Sequence, residues 1–109
     1  MQASIDISLM TLTSAVGRVS GELEFAELPR AGELVSFQRV AVPAAKFSGQ
    51  VAVSKVIHVA AESQTPPLLL LADVTLPTEA DAQAVGQSLE RCYGLAFEPY
   101  ENAPTATST

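Results

Sequence analysis

Apolar and polar residues alternate through residues 51–62 in the pattern of a β-strand. Successive strand residues point to opposite faces, so side chains two positions apart share a face. Lys55 interrupts an otherwise apolar face that consists of Val51, Val53, Ile57 and Val59. The middle of the opposite face is apolar as well, at Val56. The pattern therefore predicts a strand that is apolar on both faces over part of its length.

Four consecutive leucines, residues 68–71, place apolar side chains on both faces of a second predicted strand, 68–74. Prolines before and after them favour a strand over a helix. The segment 63–67, with sequence SQTPP, predicts a turn that joins this strand to the preceding one as a hairpin. A strand that is apolar on both faces is typical of a sheet interior. We therefore expect both sides of the leucine strand to be kept from water.

The rest of the chain predicts three further strands and one helix. The strands cover residues 4–12, then 18 or 19 to 28, then 34–42, and Gly21 predicts a bulge or bend in the second. The helix covers about 78–93, with Thr78 as its N-cap and Gly94 just beyond its end. Its apolar stripe consists of Ala82, Val85, Leu89 and Cys92. We assign this stripe to one face of the leucine strand.

The predicted fold class is α+β and mainly β. About five antiparallel strands curl into a small barrel or half-barrel, and the C-terminal helix packs on the sheet. Residues 95–98 allow a short final strand. We expect a single small β-rich domain over residues 1–101 and a disordered tail over 102–109, which is small, polar and contains proline.

Composition narrows the classes of function. A chain of 109 residues that is 48% hydrophobic is long enough for one core without metal or disulfide support. Its single cysteine excludes an intramolecular disulfide and multi-cysteine metal motifs. No segment approaches the roughly 20 apolar residues that span a bilayer, and the N-terminal residues lack the features of a signal peptide. We expect a cytoplasmic protein that uses no cofactor or metal and does not bind membranes.

The net charge of −6 arises entirely from the second half of the chain. Residues 1–55 contain five acidic and five basic side chains, whereas residues 56–109 contain seven acidic side chains and one basic one. Nucleic-acid affinity depends largely on Lys and Arg that neutralise phosphates, so this distribution argues against binding of nucleic acid. An acidic surface suits a basic protein partner instead.

Few residues suggest chemistry. His58 is the only histidine and is a weak catalytic candidate, because its sequence neighbours are apolar and no second titrating group stands at motif spacing. Cys92 is expected to be a buried hydrophobic residue near the helix C-terminus, where the dipole disfavours a thiolate. Asp73 is expected to form a partly buried ion pair with Lys55 or Arg39. The glutamates of the second strand are expected to be solvated.

These observations favour a small non-enzymatic protein-interaction or adaptor module that acts as a homo-oligomer or binds another protein. This interpretation is based on the excess of apolar surface on the predicted strands. The interface candidates are Val56, Leu69 and Leu71. Three alternatives stay open. They are a small-molecule-binding barrel or minor enzyme that uses His58, a phage-type or accessory inhibitor that presents an acidic surface to a basic target, and a structural subunit of a larger assembly.

Overall fold

The protein is described from a computed structural model, which covers residues 1–40, 47–60 and 65–100. The strands and the helix follow the order β1 (Gln2–Met10), β2 (Ala15–Glu24), β3 (Leu34–Ser36), β4 (Gln50–Ile57), β5 (Leu68–Leu71), β6 (Val74–Thr75), α1 (Glu79–Tyr93) and β7 (Ala96–Pro99). The described chain is thus mainly β with one helix, as predicted. The predicted tail 102–109 and the end of the predicted strand 51–62 lie outside the described residues.

The sheet is mixed. Its strand order is β3-β4-β5-β1-β2-β7, and β6 also pairs with β1. Four strand pairs are antiparallel, whereas β5 and β6 both run parallel to β1. The purely antiparallel sheet expected from the sequence is therefore wrong. The physical reason is that the chain crosses from β2 to the far edge of the sheet and returns through two hairpins, which brings β5 beside β1 in the same direction.

The sheet is open. Its outermost strands, β3 and β7, do not pair with each other in the part of the chain that the structure describes, so the predicted barrel or half-barrel is not confirmed. Of the bulge or bend predicted at Gly21, the bulge is absent, because β1 and β2 stay in register where Gly21 lies opposite Ile5. Gly21 instead has a positive φ of 151° and lets Leu95 approach, since a Cβ there would lie 2.9 Å from Leu95 Cδ2.

Three strands are displaced or shorter than predicted. The β1–β2 hairpin turns earlier, because the hydroxyl oxygen of Thr11 accepts the backbone N–H groups of Thr13 and Ser14 at 3.3 and 3.1 Å. The third strand is only three residues long and gives way to a 3-10 turn, Gln38–Val40. The last two residues of the predicted strand 34–42 lie outside the described residues.

A register shift in β4 explains why Lys55 interrupts the apolar alternation. Val53 pairs with Leu71, but Lys55 already pairs with Leu70, so Ser54 is an extra residue on β4. Beyond this bulge the faces exchange, and Val56 returns to the face of Val53 while Lys55 points to the other side. Strict alternation of faces along the strand would place Lys55 among the core residues.

The core lies on one face of the sheet, under α1. Every second residue of β1 is at most 1% exposed, and these residues are Ala3, Ile5, Ile7 and Leu9. The helix contributes four buried residues, Ala82, Val85, Gly86 and Leu89, and packs mainly on β2 and β7, with further contacts to the 3-10 turn and β1. Toward β3 the same buried cluster continues through Phe37, Val40 and Phe47. The helix therefore covers β1, β2 and β7 more than the leucine strand to which the sequence assigned it.

The helix begins and ends as predicted. Thr78 has extended backbone angles, and its hydroxyl oxygen accepts the backbone N–H of Asp81 at 3.1 Å. Gly94 takes the left-handed conformation at φ 69°, and its N–H donates to the Glu90 carbonyl oxygen at 3.0 Å. Both signals are local in sequence, which is why periodicity and capping residues locate this element well.

Thr78→Ala is expected to lower the free energy of unfolding by about 1 kcal/mol, because the N–H of Asp81 loses its acceptor. Thr78→Ser retains the hydroxyl and serves as the control. Urea unfolding followed by circular dichroism measures both midpoints. Equal midpoints for the alanine and serine variants would show that the hydroxyl does not stabilise the helix.

Candidate functional site

The face of the sheet opposite α1, called the open face, carries an apolar strip on β3, β4 and β5. Strand register assigns its residues to this face, because Leu34 pairs with Ala52, Ile57 with Leu68, and Lys55 with Leu70. Leu34 and Ile57 are 58% and 41% exposed, and the remaining apolar members are half-buried. The apolar strip consists of Leu34, Ala52, Ile57, Leu68 and Leu70. No element among the described residues covers it.

The other half of the open face is polar. On β1 and β2 the Nε of Arg18 donates to Oδ1 of Asp6 at 3.1 Å. A depression of about 320 Å³ spans β4, β5 and β1 where this polar half meets the apolar strip, and Asp6, Lys55, Leu70 and Asp73 are among its lining residues. The open face therefore presents apolar surface beside charges of both signs.

Asp73 does not form the ion pair expected from the sequence. Its side chain is exposed, and the salt bridges among the described residues join Arg18 to Asp6 and the N-terminal amine to Glu24. Asp73 and Lys55 line the same depression without contact at salt-bridge distance. Asp73 follows β5 at the break before β6, where the backbone turns the side chain toward water.

The three interface candidates lie on the core side of the sheet. Leu69 is 0% exposed and Leu71 is 5% exposed, so a partner cannot reach either side chain. Val56 pairs with Leu69 and is half-buried at the end of the sheet. The leucine strand is central, as expected, but only its core side is dry. The side that carries Leu68 and Leu70 belongs to the open face.

A groove lies between the β2–β3 connection, β3 and the end of α1, and is called the acidic groove. Its volume is about 490 Å³. Apolar side chains line it, namely Leu23, Phe25, Leu28, Val35, Phe37 and Tyr93. The exposed carboxylates of Glu24, Glu27 and Glu33 also line it, and no Lys or Arg is among the lining residues. Sequence analysis did not find this groove, because its walls come from segments that are distant along the chain.

Aromatic packing shapes one wall of the acidic groove. The rings of Phe37 and Tyr93 meet edge to face, with centroids 5.3 Å apart and planes at 86°. The Tyr93 hydroxyl oxygen accepts the backbone N–H of Arg39 at 3.3 Å. This contact ties the last residue of α1 to the 3-10 turn and fixes the Tyr93 ring beside β3.

His58 lies beyond the end of β4 and is exposed. It lines a shallow depression of about 590 Å³ together with Glu27, Arg30 and Glu33. Among the described residues it makes no hydrogen bond or salt bridge. The imidazole therefore shares a surface with carboxylates, but none of them is in position to orient it as a general base requires.

The remaining candidates add no further site. Cys92 is a free, half-buried cysteine on α1, less buried than expected. No three His, Cys, Asp or Glu side chains within residues 1–40, 47–60 and 65–100 are grouped closely enough to hold a metal ion. Over the same ranges no helix is long and apolar enough to cross a membrane.

No family model, no curated protein and no solved structure matches this chain.

Proposed function

We propose that this chain is a protein-interaction module that self-associates through the open face of its sheet. The observation that carries the proposal is the apolar strip, which lies uncovered on the β3–β5 half of the open face, while α1 packs on the other face of the sheet against β1, β2 and β7. Sheets with one apolar face bury that face against another layer. The second copy supplies this layer, so that the two sheets pack face to face at about 10 Å.

The dimensions of the open face suit a second copy. Strands β1 and β2 have nine and ten residues and are about 30 Å long at roughly 3.3 Å per residue. Six strands about 4.8 Å apart make the sheet roughly 25 Å wide. Because β3, β5 and β7 are only three or four residues long, the strands cover about 600 Å² of this rectangle, at the lower end of the ~600–1,000 Å² that each partner buries in a stable complex.

The open face carries charges of both signs, which favours a second copy of the chain as the binding partner over a protein whose surface has only one sign of charge. A two-fold axis pairs each surface with itself, so every copy has to supply both members of a complementary pair. The open face does so, because Lys55 lies on one side of Leu70 and Asp6 on the other, and Asp73 lines the same depression. In the proposed dimer Lys55 of each copy faces the carboxylates of the other.

Leu70→Lys is expected to raise the dissociation constant of the dimer about a hundred-fold. Leu70 is half-buried in a single copy, so each copy loses about 1 kcal/mol of further side-chain burial and gains a charge in the interface, and 1.4 kcal/mol is a factor of ten. Size-exclusion chromatography with light scattering across a concentration series measures the change.

Leu12→Lys is the matched control for the self-association test. Leu12 is 92% exposed in the β1–β2 turn, outside the open face, and the substitution changes the net charge by the same amount. The control is expected to leave the dimer intact. A wild-type protein that stays monomeric at millimolar concentration, or equal weakening by both variants, would refute self-association through this face.

A further inference from the structure

The outer edge of β3 offers backbone groups for pairing. The N–H of Phe37 donates to the Gly49 carbonyl oxygen at 2.6 Å, and the N–H of Val53 donates to the Glu33 carbonyl oxygen at 2.8 Å. Alternate residues of a strand bond to the same neighbour, so the odd-numbered residues here bond to β4. Leu34 and Ser36 therefore direct their N–H and C=O groups outward, and no described strand pairs with them.

The opposite edge of the sheet is less suited to pairing. In β7 the N–H of Tyr100 donates to the Val16 carbonyl oxygen at 2.8 Å, so Phe97 and Pro99 direct their backbone groups away from β2. Pro99 has no N–H to donate and blocks the regular pattern of a further strand. Of the two outer strands, β3 is the one that retains two outward donors.

The acidic groove lies directly beside the β3 edge. Leu34, Val35 and Ser36 are among its lining residues, together with the half-buried side chains of Phe25 and Tyr93. A strand added next to β3 would therefore pass along the groove and could place one side chain between these apolar walls. Backbone hydrogen bonds to β3 fix the position of the added strand, and the groove selects the side chain that enters it.

The charges around the groove select the flanking residues of such a strand. Glu24, Glu27 and Glu33 are exposed along it. Glu24 contacts the N-terminal amine, and Glu33 accepts the backbone N–H of Arg30 at 2.6 Å. Glu27 makes no salt bridge with any described residue. A basic segment gains attraction here, whereas an acidic one is repelled.

We infer that the β3 edge and the acidic groove form a binding site for an extended peptide that carries a bulky apolar side chain flanked by Lys or Arg. The peptide pairs with Leu34 and Ser36 as an additional strand, inserts its apolar side chain into the groove and places its basic side chains near Glu27. This site is separate from the apolar strip except at Leu34, so peptide binding and self-association can be tested independently.

The test uses a fluorescein-labelled seven-residue peptide with phenylalanine at position 4, lysine at positions 2 and 6, which share its face of the strand, and threonine at positions 1, 3, 5 and 7. Fluorescence anisotropy with the full chain measures its affinity. The matched control peptide has glutamate in place of each lysine. We expect saturable binding of the lysine peptide that weakens as salt rises, and no binding of the glutamate peptide. Equal binding of the two peptides, or none by the lysine peptide at millimolar protein, overturns the inference.

Two variants locate the site. Ser36→Pro removes an outward N–H without removing a bond to β4 and is expected to weaken binding on the order of ten-fold, whereas Ser36→Ala keeps the N–H and retains affinity. Glu27→Gln is expected to weaken binding roughly two- to five-fold and to reduce its salt dependence. Circular dichroism and light scattering confirm that each variant keeps the fold and oligomeric state of the parent. Unchanged affinity in both Ser36→Pro and Glu27→Gln would place the peptide elsewhere and overturn the inference.

Discussion

Replacing Leu69 with alanine is expected to lower the free energy of unfolding by about 2–5 kcal/mol, whereas Leu70→Ala should lower it by less than about 1 kcal/mol. The two leucines are adjacent in β5, but Leu69 is fully buried and Leu70 lies half-exposed on the open face. Truncation of Leu69 removes buried methyl groups and leaves a cavity in a packed core. Truncation of Leu70 leaves a site that water can fill.

The comparison is made by urea unfolding at two protein concentrations. Self-association stabilises the folded chain by mass action. A loss of unfolding free energy that changes with protein concentration therefore arises from the interface, and a loss that is the same at both concentrations arises from the core. Leu69→Ala should show the same loss at both concentrations, whereas Leu70→Ala should shift mainly at the higher one. Similar losses for both variants at low concentration would mean that the two faces of β5 are equally buried.

The same pair of leucines shows that the sequence predicts the strand β5 but not which of its faces is covered. Prolines on both sides of the quartet predicted a strand, and Leu68–Leu71 is the strand β5. Continuous apolarity, however, does not reveal whether both faces are covered. It predicted burial for all four leucines, although Leu68 and Leu70 point to the open face. Covering a face requires a second layer, and the number of layers is a property of the whole fold.

The pairing of strands that are distant along the chain is a second feature that the sequence does not predict. Nothing near β5 in sequence indicates that it lies parallel to β1, more than sixty positions earlier, with Ile5 opposite Leu69. Local signals were sufficient for α1, because its start at Thr78 and its end before Gly94 depend on contacts within a few residues. The acidic groove combines both difficulties, since Phe25, Ser36 and Tyr93 meet there from three separate segments.

The β4 bulge shows that an exception in a pattern can be informative. Lys55 was an anomaly on an otherwise apolar face, and the structure explains it by the extra residue Ser54. A charged residue in an alternating strand therefore indicates either exposure or a register shift. With the shift included, Val51, Val53 and Val56 share the core face and Ile57 joins the open face.

Gly86→Ala is expected to destabilise the protein by roughly 1–3 kcal/mol, although alanine normally stabilises a helix interior relative to glycine. A Cβ at Gly86 would lie 2.5 Å from Cδ1 of Phe97, and a Cβ at Gly17 would lie 2.7 Å from Cε1 of the same ring. The ring of Phe97 therefore occupies a slot between α1 and β2 that exists only because both walls are glycine. An added methyl group therefore displaces the ring and disturbs the pairing of β7 with β2.

The second half of this experiment repeats Gly86→Ala in a Phe97→Ala background. Removing the ring removes the three atoms nearest to that methyl group, so the substitution should now stabilise the protein by about 0.5–1 kcal/mol through helix propensity. Thermal and urea unfolding of the four proteins form a double-mutant cycle, and the effect of Gly86→Ala should change sign between the two backgrounds. A stabilising effect in the wild-type background would show that Phe97 does not occupy the slot. A destabilising effect of equal size in both backgrounds would place the obstacle elsewhere along α1.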